Sequence, residues 1–334
     1  MACTQCGKTS QTPVPWAAKG SGFSALLEAF VVTMCASLPV AHVAKLLGVS
    51  DDRIWRVVRR QVDAARARED FSDVRRVGVD ETASRRGHRY VTLFHDLGER
   101  RLLFVTPGRD RRVFRDFVAD LQAHGAQPDQ LSDWCMDLSG AFQAGARDTA
   151  PHAAVSFDPY HLVALAHRAL DQVRRAEVKL EPVLRHSRWG TLKAPQNWTL
   201  DQLTTMHWLQ RSTLKTARAW RLKEALRRIY EVASDRATAE PLLRRWLSWA
   251  RRCRLTPFKK LAATVKGHLH GILRHFDSGL SNGQVEAFNA QIQAAKARAK
   301  GYRTDTNLIA ISYLLCAKLR HLPRHPWLAA AGRV

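Results

Sequence analysis

Near Asp70 the hydrophobic pattern changes period, from helical before it to strand-like after it, and this switch limits the folds open to the chain. Val74–Val79 reads as a buried strand ending in Asp80 and Glu81. Arg89–Asp96 and Arg101–Thr106 follow as two more strands, joined by a Leu-Gly-Glu-Arg turn. An amphipathic helix over Arg111–His124 leads to a fourth strand, Leu131–Met136, ending at Asp137. A short helix near Gly140–Asp148, a fifth strand over Ala153–Phe157 ending at Asp158, and a long helix over His161–Lys179 complete the series. Three sequential strands followed by right-handed βα crossovers place strands four and five beside strand one. The expected class is α/β, with Asp80 and Asp137 at the carboxyl ends of neighbouring parallel strands, where open α/β sheets carry their sites.

Upstream, Phe23–Ser37 and Pro39–Leu47 read as helices, the second stopped by Gly48. Ser50 is a good N-cap for a third helix over Arg53–Arg68, with Asp51 and Asp52 in its first turn. A short helix, a tight turn and a longer basic helix form a helix-turn-helix pattern. Ile54, Val57, Val58 and Val62 make the buried stripe, leaving Arg53, Arg56, Arg59 and Arg60 to face DNA. Three-helix packing without a DNA role is the alternative.

Charge narrows the partner. Fifty-three Lys and Arg against 30 Asp and Glu give a net charge of +23, a field that favours nucleic acid first and anionic membrane second. Between Asp171 and His275 the count is 7 Lys and 16 Arg against 8 acids, and six of the ten Trp lie there. That stretch reads as helical, punctuated by Pro182, Pro195, Pro241 and Pro257. With 46% hydrophobic residues the chain can build a core, so extensive disorder is excluded. No run of eighteen apolar residues is present, which excludes a membrane span, and no signal peptide is evident. The cysteines are dispersed, as free thiols in a reducing cytoplasm are. Cys3-x-x-Cys6 supplies half of a tetrahedral zinc site, and the spacing admits either the remnant of a zinc knuckle or two incidental cysteines.

Two carboxylates at the ends of buried strands repel each other unless a divalent cation lies between them. The alternative for each is an N-cap after a strand. A third acid, Glu286, lies in Ser281–Ile292, and Glu286, Asn289 and Gln293 share one helical face, with Val285, Phe288 and Ile292 on the other. Asn289 is placed to orient the Glu or a metal's water, and the basic residues that follow to take phosphate. Hard oxygen ligands suit Mg²⁺ or Mn²⁺, and two such ions clamp the attacking and leaving oxygens of a phosphoryl displacement. A strongly basic chain with such a site is expected to cut or join polynucleotides.

The segments VGVDETASRRGHRY, CMDLSGAF, SFDPYHLVALAHRALDQVRR and SNGQVEAFNAQIQAAKARAKGYR resemble the catalytic core of insertion-sequence transposases of the ISL-three type, members of the DDE superfamily with an RNase H-like fold. The resemblance runs from about Cys3 to Leu319. It implies Asp80, Asp137 and Glu286 as catalytic, metal-binding acids, with Asp158 and His161 accessory; Glu81, beside Asp80, and Asn289, on the face of Glu286, are expected as further accessory residues. It implies an N-terminal helix-turn-helix and an all-helical insertion; Lys296, Arg298 and Lys300 are the basic residues expected to contact DNA, and they are a thinned form of the family's arginine-rich run. It further implies terminal-repeat and target DNA as partners, a homo-oligomer in the synaptic complex, and a bacterial cytoplasmic, nucleoid-associated setting. Where the family has VEG-x-NN, this chain has Ala287 and Ala290. The zinc-binding module that opens family members is here reduced to Cys3 and Cys6, so the chain reads as N-terminally truncated.

The expected organisation is a zinc-knuckle remnant over 1–20, a helix-turn-helix region over 21–70, the first part of the core over 71–180, and the basic insertion over 181–275. Closing helices with the catalytic Glu occupy 276–320 and a tail 321–334. The leading function is metal-dependent strand cleavage and transfer. The alternatives are an inactive or truncated fragment that only binds DNA, and a structure-specific nuclease of the same fold.

Overall fold

The computed structural model describes residues 5–7, 14–85 and 87–325. The Ser24 hydroxyl accepts the Leu27 N–H at 3.2 Å and so caps α1 (Ala25–Ser37). Helix α2 (Val40–Leu46) ends at Gly48, whose φ of +65° turns the chain while the Val49 N–H donates to the Ala44 carbonyl at 3.0 Å. Helix α3 (Asp51–Arg66) follows; Ser50 occupies the N-cap position but its side chain makes no capping bond. Ile54, Val57, Val58 and Val62 are all buried, as the helical spacing requires.

The strands are β1 (Arg76–Arg85), β2 (Arg89–Asp96) and β3 (Arg101–Pro107), then α4 (Arg112–Ala123), β4 (Asp133–Met136), α5 (Gly140–Thr149), β5 (Ala154–Phe157) and α6 (Pro159–Glu177). They form a mixed five-stranded sheet in the order β3-β2-β1-β4-β5, the order expected from the connections. One expectation fails. Strand β1 does not stop at Asp80 and Glu81 but continues to Arg85, so Asp80 lies in mid-strand rather than at a carboxyl end. The extension is held by β2, with Thr82 opposite Val91 and Ala83 opposite Tyr90, and the hairpin turns through Gly87 (φ +85°) and His88 (φ +59°).

After α6 come α7 (Arg188–Leu192), α8 (Leu200–Arg211), α9 (Lys215–Val232), α10 (Arg236–Arg252), α11 (Thr256–Gly267) and α12 (Leu269–Ser278). No strand occurs among the described residues of this stretch. Pro182, Pro195 and Pro257 each open a helical turn, whereas Pro241 lies inside α10 without breaking it. It falls in the helix's second turn, where its missing N–H forfeits a single backbone bond. Helices α13 (Gly283–Arg298) and α14 (Asp305–Cys316) close the chain.

The chain divides into two units. The first takes the described residues up to Leu131, Asp148–Ala150, and those from Gly283 onward. Its core joins the buried stripe of α3 to Val91 and Leu93 of β2, Ile292 of α13 and Ile311 of α14. Phe94 of β2 stacks on Phe117 of α4 with ring centroids 4.3 Å apart. The second unit holds β4, β5 and α6–α12. There α12 lies against β5 at Gly271: a Cβ would come within 2.5 Å of the Phe157 ring and 3.0 Å of the Val155 carbonyl, so a glycine is required. Among the described residues no helix is long and apolar enough to cross a membrane.

Candidate active site

In the first unit, β1 alternates its side chains so that Asp80, Thr82 and Ser84 share one face, and all three are buried. Helix α13 covers this face with a row of polar side chains. The Asn289 amide N–H donates to Asp80 Oδ2 at 2.6 Å, Gln293 Nε2 donates to Thr82 Oγ1 at 2.7 Å, and Lys296 Nζ donates to the Ala83 carbonyl at 2.5 Å. The spacing i, i+4, i+7 puts these three in register along the strand. Asp80 also accepts the Glu81 N–H at 2.8 Å through Oδ1, so both carboxylate oxygens are held. Asn289 therefore orients Asp80, rather than the Glu on its own helix.

Glu286 occupies the first turn of α13, where the helix dipole favours an anion; the residue is half-buried, with its Oε1 buried. Val285 and Ile292, fully buried, anchor the opposite face, and Phe288 stacks on the His95 ring at 5.0 Å. His95 is fully buried, and desolvation pushes its pKa down to about 3, so it packs as a neutral ring. Glu81 is half-exposed and 3.7 Å from Arg109.

In the second unit β4 and β5 run parallel, with Met136 opposite Phe157, and each is followed at once by an aspartate. Asp137 is half-buried, and its Oδ1 accepts the Ser139 backbone N–H at 2.9 Å. Asp158 is buried and extends the ladder, its N–H donating to the Met136 carbonyl at 3.1 Å. Its Oδ1 accepts the Asn282 N–H at 3.3 Å, and its Oδ2 lies 3.9 Å from His161 Nε2. Burial pushes the Asp158 carboxyl above the usual range, opposed by His161 and by backbone N–H groups.

Donor chemistry is the test for a divalent metal. Asp80, Asp137 and Glu286 offer only hard oxygens, which suit Mg²⁺ or Mn²⁺. The buried Asn289 Oδ1 has no hydrogen-bond partner among the described residues, and an acceptor there beside Asp80 suits a hydrated cation's water. Among the described residues no group of three or more His, Cys, Asp or Glu side chains is close enough to hold a metal by itself. Cys3 lies outside the described residues, and Cys6 is exposed and free.

The arginines of α3 divide by use. Arg60 pairs with the buried Glu28, Arg53 lies over the Phe23 ring at 4.6 Å, and Arg59 donates to the Trp55 carbonyl of its own helix at 3.3 Å. Arg56 is exposed, with no hydrogen bond or ion pair among the described residues. At the end of α13, Arg298 donates to the Ser37 carbonyl at 2.9 Å, and beyond it Lys300 is exposed in a left-handed conformation. Lys296, expected to contact DNA, bonds to β1 instead; the signal for this in the sequence is its helical spacing from Asn289 and Gln293.

Comparison with known proteins gives concordant matches. A family model described as a transposase matches residues 77–312, and one described as the helix-turn-helix domain of transposase family ISL3 matches residues 12–62. The transposase for insertion sequence element IS1557 of Mycobacterium tuberculosis is 30% identical, over 94% of this chain and 76% of that protein. The transposase for insertion sequence element IS1001 of Bordetella parapertussis is 26% identical, over 90% of this chain and 75% of that protein. The first family model alone covers most of the chain, including Asp80, Asp137, Asp158 and Glu286, and on these matches the chain belongs to the ISL3 family of transposases.

Proposed function

We propose that the protein catalyses divalent-metal-dependent cleavage of DNA at the ends of an insertion sequence and joins the freed strand to target DNA. Support comes from the family and from one geometric feature, the bond from Asn289 to Asp80, which ties the strand bearing one acid to the helix bearing Glu286. In this reading Asp80, Asp137 and Glu286 hold Mg²⁺ or Mn²⁺, the ions supplying Lewis-acid stabilisation of the attacking and leaving oxygens. Asn289 fixes the carboxylate of Asp80, so its oxygens need no reorganisation when DNA arrives. Glu81, Asp158 and His161 serve as accessory groups, His161 through its approach to Asp158. The helix-turn-helix binds duplex DNA, with Arg56 presented outward. Exposed Lys300, with Arg298, meets phosphate near the end of α13. Element ends are brought together by a homo-oligomer.

The test is cleavage of a labelled duplex carrying the element's end, with Mg²⁺, with Mn²⁺ and with EDTA, beside Asp137→Ala. Metal-dependent nicking and joining that the variant loses is the expected result. Binding without cleavage in either metal, or full cleavage by Asp137→Ala, overturns the reading.

A further inference from the structure

The second unit contains a groove between α9 and α10 that the cleavage reading leaves unused. Its volume is about 690 Å³, within the range of about 300–1,000 Å³ typical of small-molecule clefts. The floor is apolar, built from Ala225 and Ile229 of α9 with Leu242 and Trp246 of α10. Trp246 is committed to the fold: it is 2% exposed and its indole N–H donates to the Leu222 carbonyl at 2.8 Å. Trp249, nearly one turn further along, is 38% exposed and borders the same groove.

Arg245 and Arg252 flank Trp249 at spacing i, i+4, i+7, so the three form one stripe on the outer face of α10. Both arginines line the groove and are exposed, and neither makes an ion pair among the described residues. Their neighbour Arg244 is different, since it is bonded to Glu240 at 2.6 Å. Among the described residues no acid lines the groove. A half-exposed indole over an apolar floor, with an uncompensated guanidinium on either side, matches a planar aromatic ligand that carries negative charge at both ends.

Resting on the reading that this chain acts on DNA, we propose that the groove takes an unpaired nucleotide, the base against Trp249 and the adjoining phosphates on Arg245 and Arg252. A base inside a duplex keeps its faces stacked on its neighbours and has none to offer an indole. An unpaired base has a free face, and stacking on an aromatic side chain is tolerant of sequence. The site thus distinguishes paired from unpaired DNA without reading bases.

The test uses the full chain in EDTA, so that cleavage plays no part. Binding is followed by anisotropy on a fully paired duplex and on the same duplex with one unpaired 2-aminopurine, whose fluorescence falls on stacking. The wild type is expected to quench the probe. Trp249→Ala is expected to lose about 5- to 150-fold in affinity for the unpaired form while binding the paired duplex within about twofold. Trp249→Phe retains most of the quench, and the double variant Arg245→Gln, Arg252→Gln flattens the salt dependence on the unpaired form. Equal affinity of the wild type for both DNAs, an unquenched probe, or an equal loss by Trp249→Ala on both forms overturns the proposal. Failure of metal-dependent cleavage on paired ends would count against the cleavage reading alone.

Discussion

Asp80 and Glu28 in the first unit are reached by side chains from elsewhere in the sequence, Asp80 alongside the adjacent Glu81 N–H, whereas the hydrogen bonds described for Asp137 and Asp158 in the second come from backbone amides. Asn289 reaches Asp80 across 209 positions, and Ser21, Arg60 and Gln61 converge on Glu28. The amides of Ser139 and Asn282 serve Asp137 and Asp158. A backbone donor comes with the turn whatever side chain it carries. A side-chain donor is a second residue that must be kept, so the anchoring of Asp80 and Glu28 is the more fragile to substitution. The same contrast sets the charge state. Desolvation pushes Glu28 up, but bonds from Ser21, Arg60 and Gln61 and the charge of Arg60 more than offset it, leaving its pKa lowered. Asp158, with weaker compensation, is left raised.

The largest expected effect is the loss of metal-dependent cleavage in Asp80→Ala and in Asp137→Ala. Removing a metal-holding carboxylate forfeits several kcal/mol of transition-state stabilisation, about a thousandfold or more in turnover of labelled duplex. Retained turnover in one of the two would break the pairing of these acids. Asn289→Ala should cost about 10–100-fold and raise the Mg²⁺ concentration needed for half-maximal rate, because Asp80 loses its orienting partner. An unchanged metal requirement would show that the anchor is dispensable.

Stability should then respond to pH in opposite directions. Glu28 is held below its ordinary value of 4.5, so its stabilisation is present above that pH and lost as pH falls through the folded value. Asp158 is raised above 3.8, so its contribution is present below that pH and lost as pH rises through its folded value. Glu28→Gln should flatten the acid limb of a melting-temperature profile. Asp158→Asn should raise the neutral-pH melting temperature by about 1–2 °C, which corresponds to about 1 kcal/mol for a chain of this length. Parallel pH slopes for the two variants would erase the distinction. The smallest effect is reserved for Ser139→Ala, expected to leave cleavage within about twofold, since Asp137 uses the backbone N–H. A tenfold loss would mean that the hydroxyl matters.

Much of this was legible in the sequence where hydrophobic periodicity speaks. The stripe of α3, the strand order and the shared face of Glu286, Asn289 and Gln293 all follow from spacing. The far half of β1 was not legible, because Glu81–Arg85 contains only one apolar residue, Ala83, and its strand state comes from pairing with β2 and bonds from α13. Direction of charge was equally hidden. Arg60 and Lys296 look like phosphate-facing residues, yet one closes on Glu28 and the other on a strand carbonyl. A cation spent inside a fold and one offered to DNA leave the same letter in the sequence.

The ion pair between buried Glu28 and the partly exposed Arg60 also bears on how this DNA-binding region can be exchanged. Glu28 belongs to α1, while Arg60 and Gln61 belong to α3. A chimera that imports an α3 without Arg60 and Gln61 would leave the buried Glu28 carboxylate with Ser21 alone and no cation beside it. The smallest interchangeable cassette is therefore the segment from Ser21 through α3, and libraries that randomise α3 should hold positions 60 and 61 constant.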